Sequence, residues 1–305
     1  MALFNKLVIL FMPLVPKFIV QLFSKRYVAG AKLADAVNAV KKLNARGMMA
    51  TMDVLGESTS DRQKTANYVQ EYLQVLQTLK DEKLDCNISL KPTQLGLLID
   101  PDLCLENIKI IVEKAKELDN FVRIDMEDSN CTSATIDIYK KLRSEFDNVG
   151  LVLQAYLRRT IDDLLDLTTE KSNFRICKGI YVEPRHLAYK DPHLINENFA
   201  YVLETALKRK SYIGIATHDE KVVWHALRII EQLNLTADDY EFQMLYGVDE
   251  ELGSIIVKAG HRLRIYVPYG KEWYAYVMRR LKENPTIAMY VLKALFTKRY
   301  KEDLK

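Results

Sequence analysis

Between Gly47 and Val267 a short apolar run followed by a longer amphipathic stretch recurs eight times, and this repetition restricts the fold more than any other feature of the chain. The runs read as buried strands at Gly47 to Gly56, Cys86 to Leu90, Phe121 to Met126, Gly150 to Leu157, Phe174 to Tyr181, Tyr212 to Thr217, Tyr240 to Leu245 and Arg262 to Val267. The stretches between them carry apolar residues three and four apart, as in Cys104, Ile108, Ile111 and Ala115, or Val222, Leu227, Ile230 and Leu233. That is the period of a helix with one buried face. The first such helix is predicted to open at Ser60 and run to about Lys80. Strands alternating with helices pair in parallel through right-handed crossovers. Eight of them can close without leaving an edge, so the expected fold is an α/β (βα)8 barrel of the TIM type with extra N-terminal and C-terminal helices. An open doubly wound sheet would carry a GxGxxG turn after its first strand, and none is present.

The 305 residues suit one such barrel, which needs about 250, and no Gly/Ser/Pro-rich linker divides them. A single domain over 1–305 is expected, with N-terminal helices over 1–46, the barrel and its last helix over 47–284, and a C-terminal helical extension over 285–305. A net charge of +3 is too small for the basic stripe that nucleic acids require, so no nucleic-acid partner is expected. Cys86, Cys104, Cys131 and Cys177 show no CxxC spacing, which fits a reducing cytoplasm. Near the start, Leu7 to Val15 is apolar, but Pro13, Pro16 and Lys17 cut it short of the roughly 20 residues a bilayer span takes. It also lacks a small-residue cleavage site close behind, and reads as a helix docked on the body or as an apolar surface touching membrane.

A barrel places its chemistry at the carboxyl ends of its strands. Here those ends include Asp53-Val-Leu-Gly-Glu57, Leu90-Lys-Pro-Thr93, Arg123-Ile-Asp-Met-Glu-Asp128, Gln154-Ala-Tyr-Leu-Arg158, Arg175-Ile-Cys-Lys-Gly-Ile-Tyr181, Thr217-His-Asp219, Gln243-Met-Leu-Tyr-Gly247 and Arg264-Ile-Tyr-Val-Pro-Tyr-Gly270. Residues two apart share a strand face. Arg123, Asp125 and Glu127 therefore share one and Val122, Ile124 and Met126 the other; the apolar set should meet the helices, leaving Asp125 inside. The same parity places Gln154 and Tyr156 inside and groups Arg175 with Cys177, whereas Lys178 must be redirected by a turn at Gly179. A single Asp or Arg at a strand end can simply cap a helix or close an ion pair. Lys91, Asp125, Gln154, Arg175, Lys178 and His218 occupy six different ends, and burying that many polar groups without a ligand is costly.

After the last strand, Tyr276 stands three and four residues before Arg279 and Arg280, so all three can share a helix face. Two guanidinium forks beside a phenol suit a carboxylate, although cations near a helix end also simply answer the dipole. The five histidines form no ligand-spaced cluster, and no metal site is expected. Neither a GxSxG elbow nor a P-loop is present, which removes the usual signatures of hydrolysis and nucleotide-driven chemistry.

In order and spacing, Leu90-Lys-Pro-Thr, Ile124-Asp, Gln154-Ala-Tyr, Arg175 to Tyr181, Ala216-Thr-His, Gln243 to Gly247, Arg264-Ile-Tyr-Val-Pro and Tyr276-Val-Met-Arg-Arg280 resemble the proline dehydrogenase family. Both its single-function bacterial form and the dehydrogenase domain of proline utilisation A share the resemblance, which runs from about Gly47 to Glu283. It implies a distorted βα barrel with non-covalent FAD that oxidises L-proline to Δ1-pyrroline-5-carboxylate and passes electrons to a membrane quinone. By resemblance Lys91, Arg279 and Arg280 bind the proline carboxylate, with Leu245, Tyr266 and Tyr276 around the ring. Arg175 sits at the flavin N5 edge, Gln154 at the pyrimidine, and Asp125 with Ile124 beside the ring system. Lys178, Gly179 and Ile180 meet the pyrophosphate region, and Thr217 and His218 the adenosine half. Asp125 is open to several roles: orienting Arg175 or Lys91, or influencing the substrate proton. A quinone acceptor implies contact with the inner face of the membrane, for which Leu7 to Val20 is the candidate.

Ile180 and Asp219 depart from what the family leads one to expect beside Gly179 and His218. Glu57 is a candidate partner for a clamp arginine when substrate is absent. Two other readings follow from the same residues: a Schiff-base aldolase on Lys178, which leaves the Tyr276/Arg279/Arg280 face unexplained, and a non-catalytic membrane-associated barrel.

Overall fold

Eight parallel strands pair in sequence order and close, β1 meeting β8 through Thr51 opposite Tyr266 and Asp53 opposite Pro268. This computed structural model describes residues 20, 24–56, 58–169 and 172–283, the last five by backbone alone. The strands are β1 (Met49–Val54), β2 (Cys86–Leu90), β3 (Val122–Ile124), β4 (Val149–Gln154), β5 (Asn173–Cys177), β6 (Tyr212–Ala216), β7 (Tyr240–Leu245) and β8 (Leu263–Tyr269). Helix α1 (Leu33–Asn44) precedes them; α2 (Arg62–Asp81), α3 (Pro101–Glu117), α4 (Ser129–Arg143), α5 (Thr160–Leu167), α6 (Pro192–Lys208), α7 (Glu220–Gln232) and α8 (Glu250–Lys258) fill the crossovers, and α9 (Trp273–Glu283) follows. The eight-strand expectation holds, and the chain is an α/β barrel.

Two sequence devices set this register. Outward positions such as Ile88, Leu90, Val122, Ile124, Leu151, Phe174, Ile176, Ile213 and Ile215 are completely buried under the helices. Burying each such side chain is worth about 1.5–3 kcal/mol, which makes a one-residue slip prohibitive. Second, six of the seven crossover helices start on aspartates: the side chains of Asp61, Asp100, Asp128, Asp191, Asp219 and Asp249 each accept a hydrogen bond from a first-turn amide, while α5 starts on Arg159. A carboxylate there satisfies orphan N–H groups and meets the positive end of the dipole. Helix α2 accordingly begins behind Asp61 rather than at Ser60.

Three strands are shorter than their apolar runs. β3 stops at Ile124, β4 at Gln154 and β5 at Cys177, because the chain must turn there to reach the next helix. Alternation lapses past those points. Tyr156 therefore does not face the barrel interior; it packs with Leu157 and Ala188 beside the turn. Gly179, at φ 98°, makes the turn after β5, and the Tyr156 ring fills the space a Cβ would need.

A second apolar cluster lies over the mouth. Val20, Tyr27 and Val28 pack with Leu55 at the end of β1 and with Tyr276, Val277 and Met278 of α9. The Ala29 amide donates to the Pro268 carbonyl at 2.9 Å, and Gly270 donates to Gly30 at 3.0 Å, tying this segment to the end of β8. Leu7 to Val15 and the 285–305 extension lie outside the described residues. Among the described residues no helix is long and apolar enough to cross a membrane.

Candidate active site

Inward positions carry polar side chains through the depth of the barrel. At the floor, Arg264 grips Glu241 with Nε on Oε1 at 2.7 Å and Nη2 on Oε2 at 3.0 Å. Glu241 also accepts from Tyr212 at 2.9 Å and from Gln243 Nε2 at 2.6 Å. Burial alone would raise its carboxyl, but the Arg264 guanidinium and these hydrogen bonds hold it below its ordinary value. Gly214 on β6 leaves the room that the Gln243 side chain occupies. Among the described residues Arg123 has no carboxylate partner; it donates to the Leu151 and Asn173 carbonyls at 3.1 and 2.8 Å and to Asn173 Oδ1, and burial lowers its guanidinium to about 9.

Above this floor seven side chains interlock at the mouth. Gln243 Oε1 accepts from Arg175 Nε, while Arg175 Nη2 donates to Ser89 at 3.0 Å and Nη1 to Asp125 Oδ1 at 2.8 Å. Tyr266 donates to Asp125 Oδ2 at 2.8 Å, with the Arg175 guanidinium 5.3 Å from its ring centre. Lys91 Nζ reaches Asp53 Oδ1 at 2.6 Å, the Tyr266 hydroxyl at 3.1 Å and Asp125 Oδ2 at 3.4 Å. Burial opposes charge on Lys91, yet Asp53 and Asp125 together raise its ammonium above the ordinary range, so it stays protonated. Complete burial lifts the Asp53 carboxyl in turn, with Lys91 pulling the other way.

Of these, Lys91, Asp125, Arg175, Gln243 and Tyr266 line a cavity of about 600 Å³. Lys91, Asp125, Gln154, Arg175, Lys178, Gly179, Ile180, Thr217, His218, Leu245, Tyr266 and Tyr276 all border it, so the strand-end residues singled out in the sequence come together. One does not: Ile124 is completely buried in the outer core, as its parity requires, and can act on the cavity only through its backbone. The side chains of Arg279 and Arg280, and residue Glu57, lie outside the described residues. On the opposite wall His218 Nε2 accepts from the Leu245 amide at 2.9 Å, and Val152, Cys177, Ala216 and Met244 supply apolar surface. Burial raises the Cys177 thiol to about 11, leaving it protonated and unreactive at neutral pH. Lys178 pairs with Asp219 Oδ2, which also accepts from Asn196 Nδ2 at 3.0 Å. Although burial pushes Asp219 up, these bonds hold it at about 2.

Two carboxylates escaped the sequence reading as site residues. Asp53, with no exposed surface, backs Lys91; Glu127 takes the Thr93 amide at 2.9 Å and the Thr93 hydroxyl at 2.7 Å, fixing the turn that carries Lys91. For Asp53 the signal was present, since it has the inward parity of Thr51 within β1; Glu127 lies past the end of β3, where alternation no longer holds.

Residues 36–291 match the family model described as proline dehydrogenase. Proline dehydrogenase 1 of Bacillus subtilis (strain 168) is 35% identical over 278 residues, 91% of this chain and 92% of that protein. The proline dehydrogenase of Deinococcus radiodurans is 33% identical over 277 residues, 89% of each. Among solved structures, proline utilization A from Bdellovibrio bacteriovorus superposes with a TM-score of 0.81 at 24% identity, covering 86% of this chain and 32% of that one. At that identity the superposition speaks to the fold alone.

Proposed function

The chain belongs to the proline dehydrogenase family and is an oxidoreductase of proline catabolism, and from that premise we propose that it oxidises L-proline to Δ1-pyrroline-5-carboxylate using non-covalent FAD. The observation that carries the reading is the junction of Lys91, Asp125 and Arg175 with the polar ends of β4, β5 and β6 in one cavity. Three features suit a flavin. Gln154 Oε1 is buried beside the cavity without a hydrogen-bond partner among the described residues, and so suits an N–H of the ligand. The left-handed turn at Gly179 brings the backbone of residues 178–180 to the cavity lining beside the Lys178 side chain, which suits a diphosphate. The apolar wall of Val152, Cys177, Ala216 and Met244 suits a planar ring system.

When bound, FAD would supply the hydride acceptor at N5. The chain's own residues do the rest. Lys91, with Arg279 and Arg280 by family resemblance, holds the substrate carboxylate, and Leu245, Tyr266 and Tyr276 close around the ring, so that the reacting carbon is presented in one orientation. Arg175, half ringed by Asp125, Ser89 and Gln243, keeps its guanidinium fixed at the cavity wall, where a preorganised cation favours developing negative charge. Lys178, Gly179 and Ile180 would border the pyrophosphate and Thr217 and His218 the adenosine half, while Asp125 and the Ile124 backbone would lie beside the ring system. The proposed electron acceptor is a membrane quinone, reached by peripheral contact at the inner face.

The visible spectrum of the purified protein before and after anaerobic proline tests this. Flavin bands that bleach are expected. A protein that retains flavin and does not bleach rejects proline as the donor, and a colourless protein trapped by borohydride on Lys178 favours the aldolase.

A further inference from the structure

All three N–H positions of the Lys91 ammonium are taken: by Asp53 at 2.6 Å, Tyr266 at 3.1 Å and Asp125 at 3.4 Å. An ammonium has no fourth donor. A ligand carboxylate can therefore reach it only by displacing one of the three, and the structure ranks them. Asp125 is the most distant; displaced, it keeps Arg175 and Tyr266, each at 2.8 Å. Asp53 has little to fall back on: the Tyr266 hydroxyl also eases its charge but is already committed to Asp125 at 2.8 Å. Its side chain has no exposed surface against 13% for Asp125. Lys91 supplies its one hydrogen bond among the described residues, and Oδ2 has none. Taking Lys91 away would strand a fully buried carboxylate, which is far costlier than breaking a long contact at the cavity wall.

We propose that Asp53 is the fixed counter-ion of Lys91, a positioning residue, and that Asp125 is the exchangeable one, whose place at the ammonium the incoming substrate carboxylate takes. This rests on reading Lys91 as a carboxylate-binding group. The consequence is a division of labour between two aspartates that alternation alone would treat alike. Asp53 keeps the ammonium charged and aimed from behind, and Asp125 acts as a stand-in anion that holds the place until substrate arrives. Displacement frees one acceptor position on Asp125 Oδ2, which keeps its bond from Tyr266, at the moment the substrate's amine enters, so the exchange also offers an acceptor to that amine.

The test titrates the flavin-loaded enzyme with cyclopentanecarboxylate, a ring acid without the amine, by calorimetry. Wild type, Asp53→Asn, Asp125→Asn and the double variant are compared, with thermal melts to confirm folding. Asp53→Asn should weaken binding about tenfold, because Asp125 becomes the sole charged partner of Lys91 and is harder to displace. Asp125→Asn should tighten it, and the double variant should return towards wild type. For proline, Asp53→Asn should raise KM more than it lowers kcat. Folded Asp53→Asn that binds the probe as tightly as wild type overturns the proposal, as does Asp125→Asn that binds unchanged or more weakly. The latter decides alone if Asp53→Asn does not fold. Failure of wild type to oxidise proline while it binds the probe would sink the functional reading instead.

Discussion

The barrel buries ion pairs at two levels, and the Glu241–Arg264 pair at the floor differs from the Lys91 cluster at the mouth in how completely its hydrogen bonds are satisfied. At the floor each Glu241 oxygen accepts two hydrogen bonds, from Arg264, Gln243 and Tyr212, and neither partner of the ion pair exceeds 10% side-chain exposure. At the mouth Lys91 and Asp125 border open cavity, Asp53 Oδ2 and Gln154 Oε1 have no partner among the described residues, and one Lys91 contact is stretched to 3.4 Å. Carboxyl titration follows the same division. Glu241 is held below its ordinary value by Arg264 despite burial, whereas burial raises Asp53 and Glu127. A saturated network has no valence left for a ligand and serves the fold. An unsaturated one stays poised, at a cost the fold must carry.

The contrast breaks most visibly at the floor. Glu241→Ala should cost about 3–5 kcal/mol by leaving Arg264 buried and unpaired, with kcat/KM of the remaining folded enzyme nearly unchanged; denaturant melts and proline turnover read both. If turnover fell as far as stability, the floor would belong to the site.

Arg175→Met, at the mouth, should reverse that pattern. A loss of about a hundredfold in kcat/KM is expected from removing a preorganised cation, with a smaller stability loss than Glu241→Ala because Asp125 keeps Lys91 and Tyr266. Steady-state kinetics beside a thermal melt would check it.

The smallest effect is expected at the rim. Asp219 sits at about 2 in the fold against an ordinary 3.8, so its stabilisation is present above pH about 4 and is lost as pH falls through about 2. The side chain is partly exposed, at 31%, and so partly screened, which makes the slope shallow. Asp219→Asn, which can still cap α7, should flatten this acid limb in a melt series without moving the neutral-pH midpoint far. An unchanged limb would show that the Lys178 pair adds nothing to folding.

Much of this was legible in the chain, for reasons that can be named. Period-2 strands and period-3.6 helices announce themselves because each must bury one face, and the Asp caps mark where helices can begin. Asp125, Arg175 and Lys91 stood out because charge at a strand end is conspicuous. Asp53 and Glu127 are equally charged, but nothing local distinguishes a group that backs a ligand contact from one that makes it. Tyr156 misled for a related reason: alternation predicts a side chain's face only while the strand lasts, and β4 ends two residues earlier.

Sequence by itself determined the eight repeated units, their parallel closure and the set of polar residues delivered to one end, because those follow from local periodicity and the need to bury apolar faces. Only the tertiary structure decided which charges saturate one another. Arg123, Arg175 and Arg264 are alike in the chain; in the barrel one bonds backbone carbonyls, one faces the cavity and one is locked to Glu241. That distinction depends on partners up to 215 residues away, brought close by barrel closure.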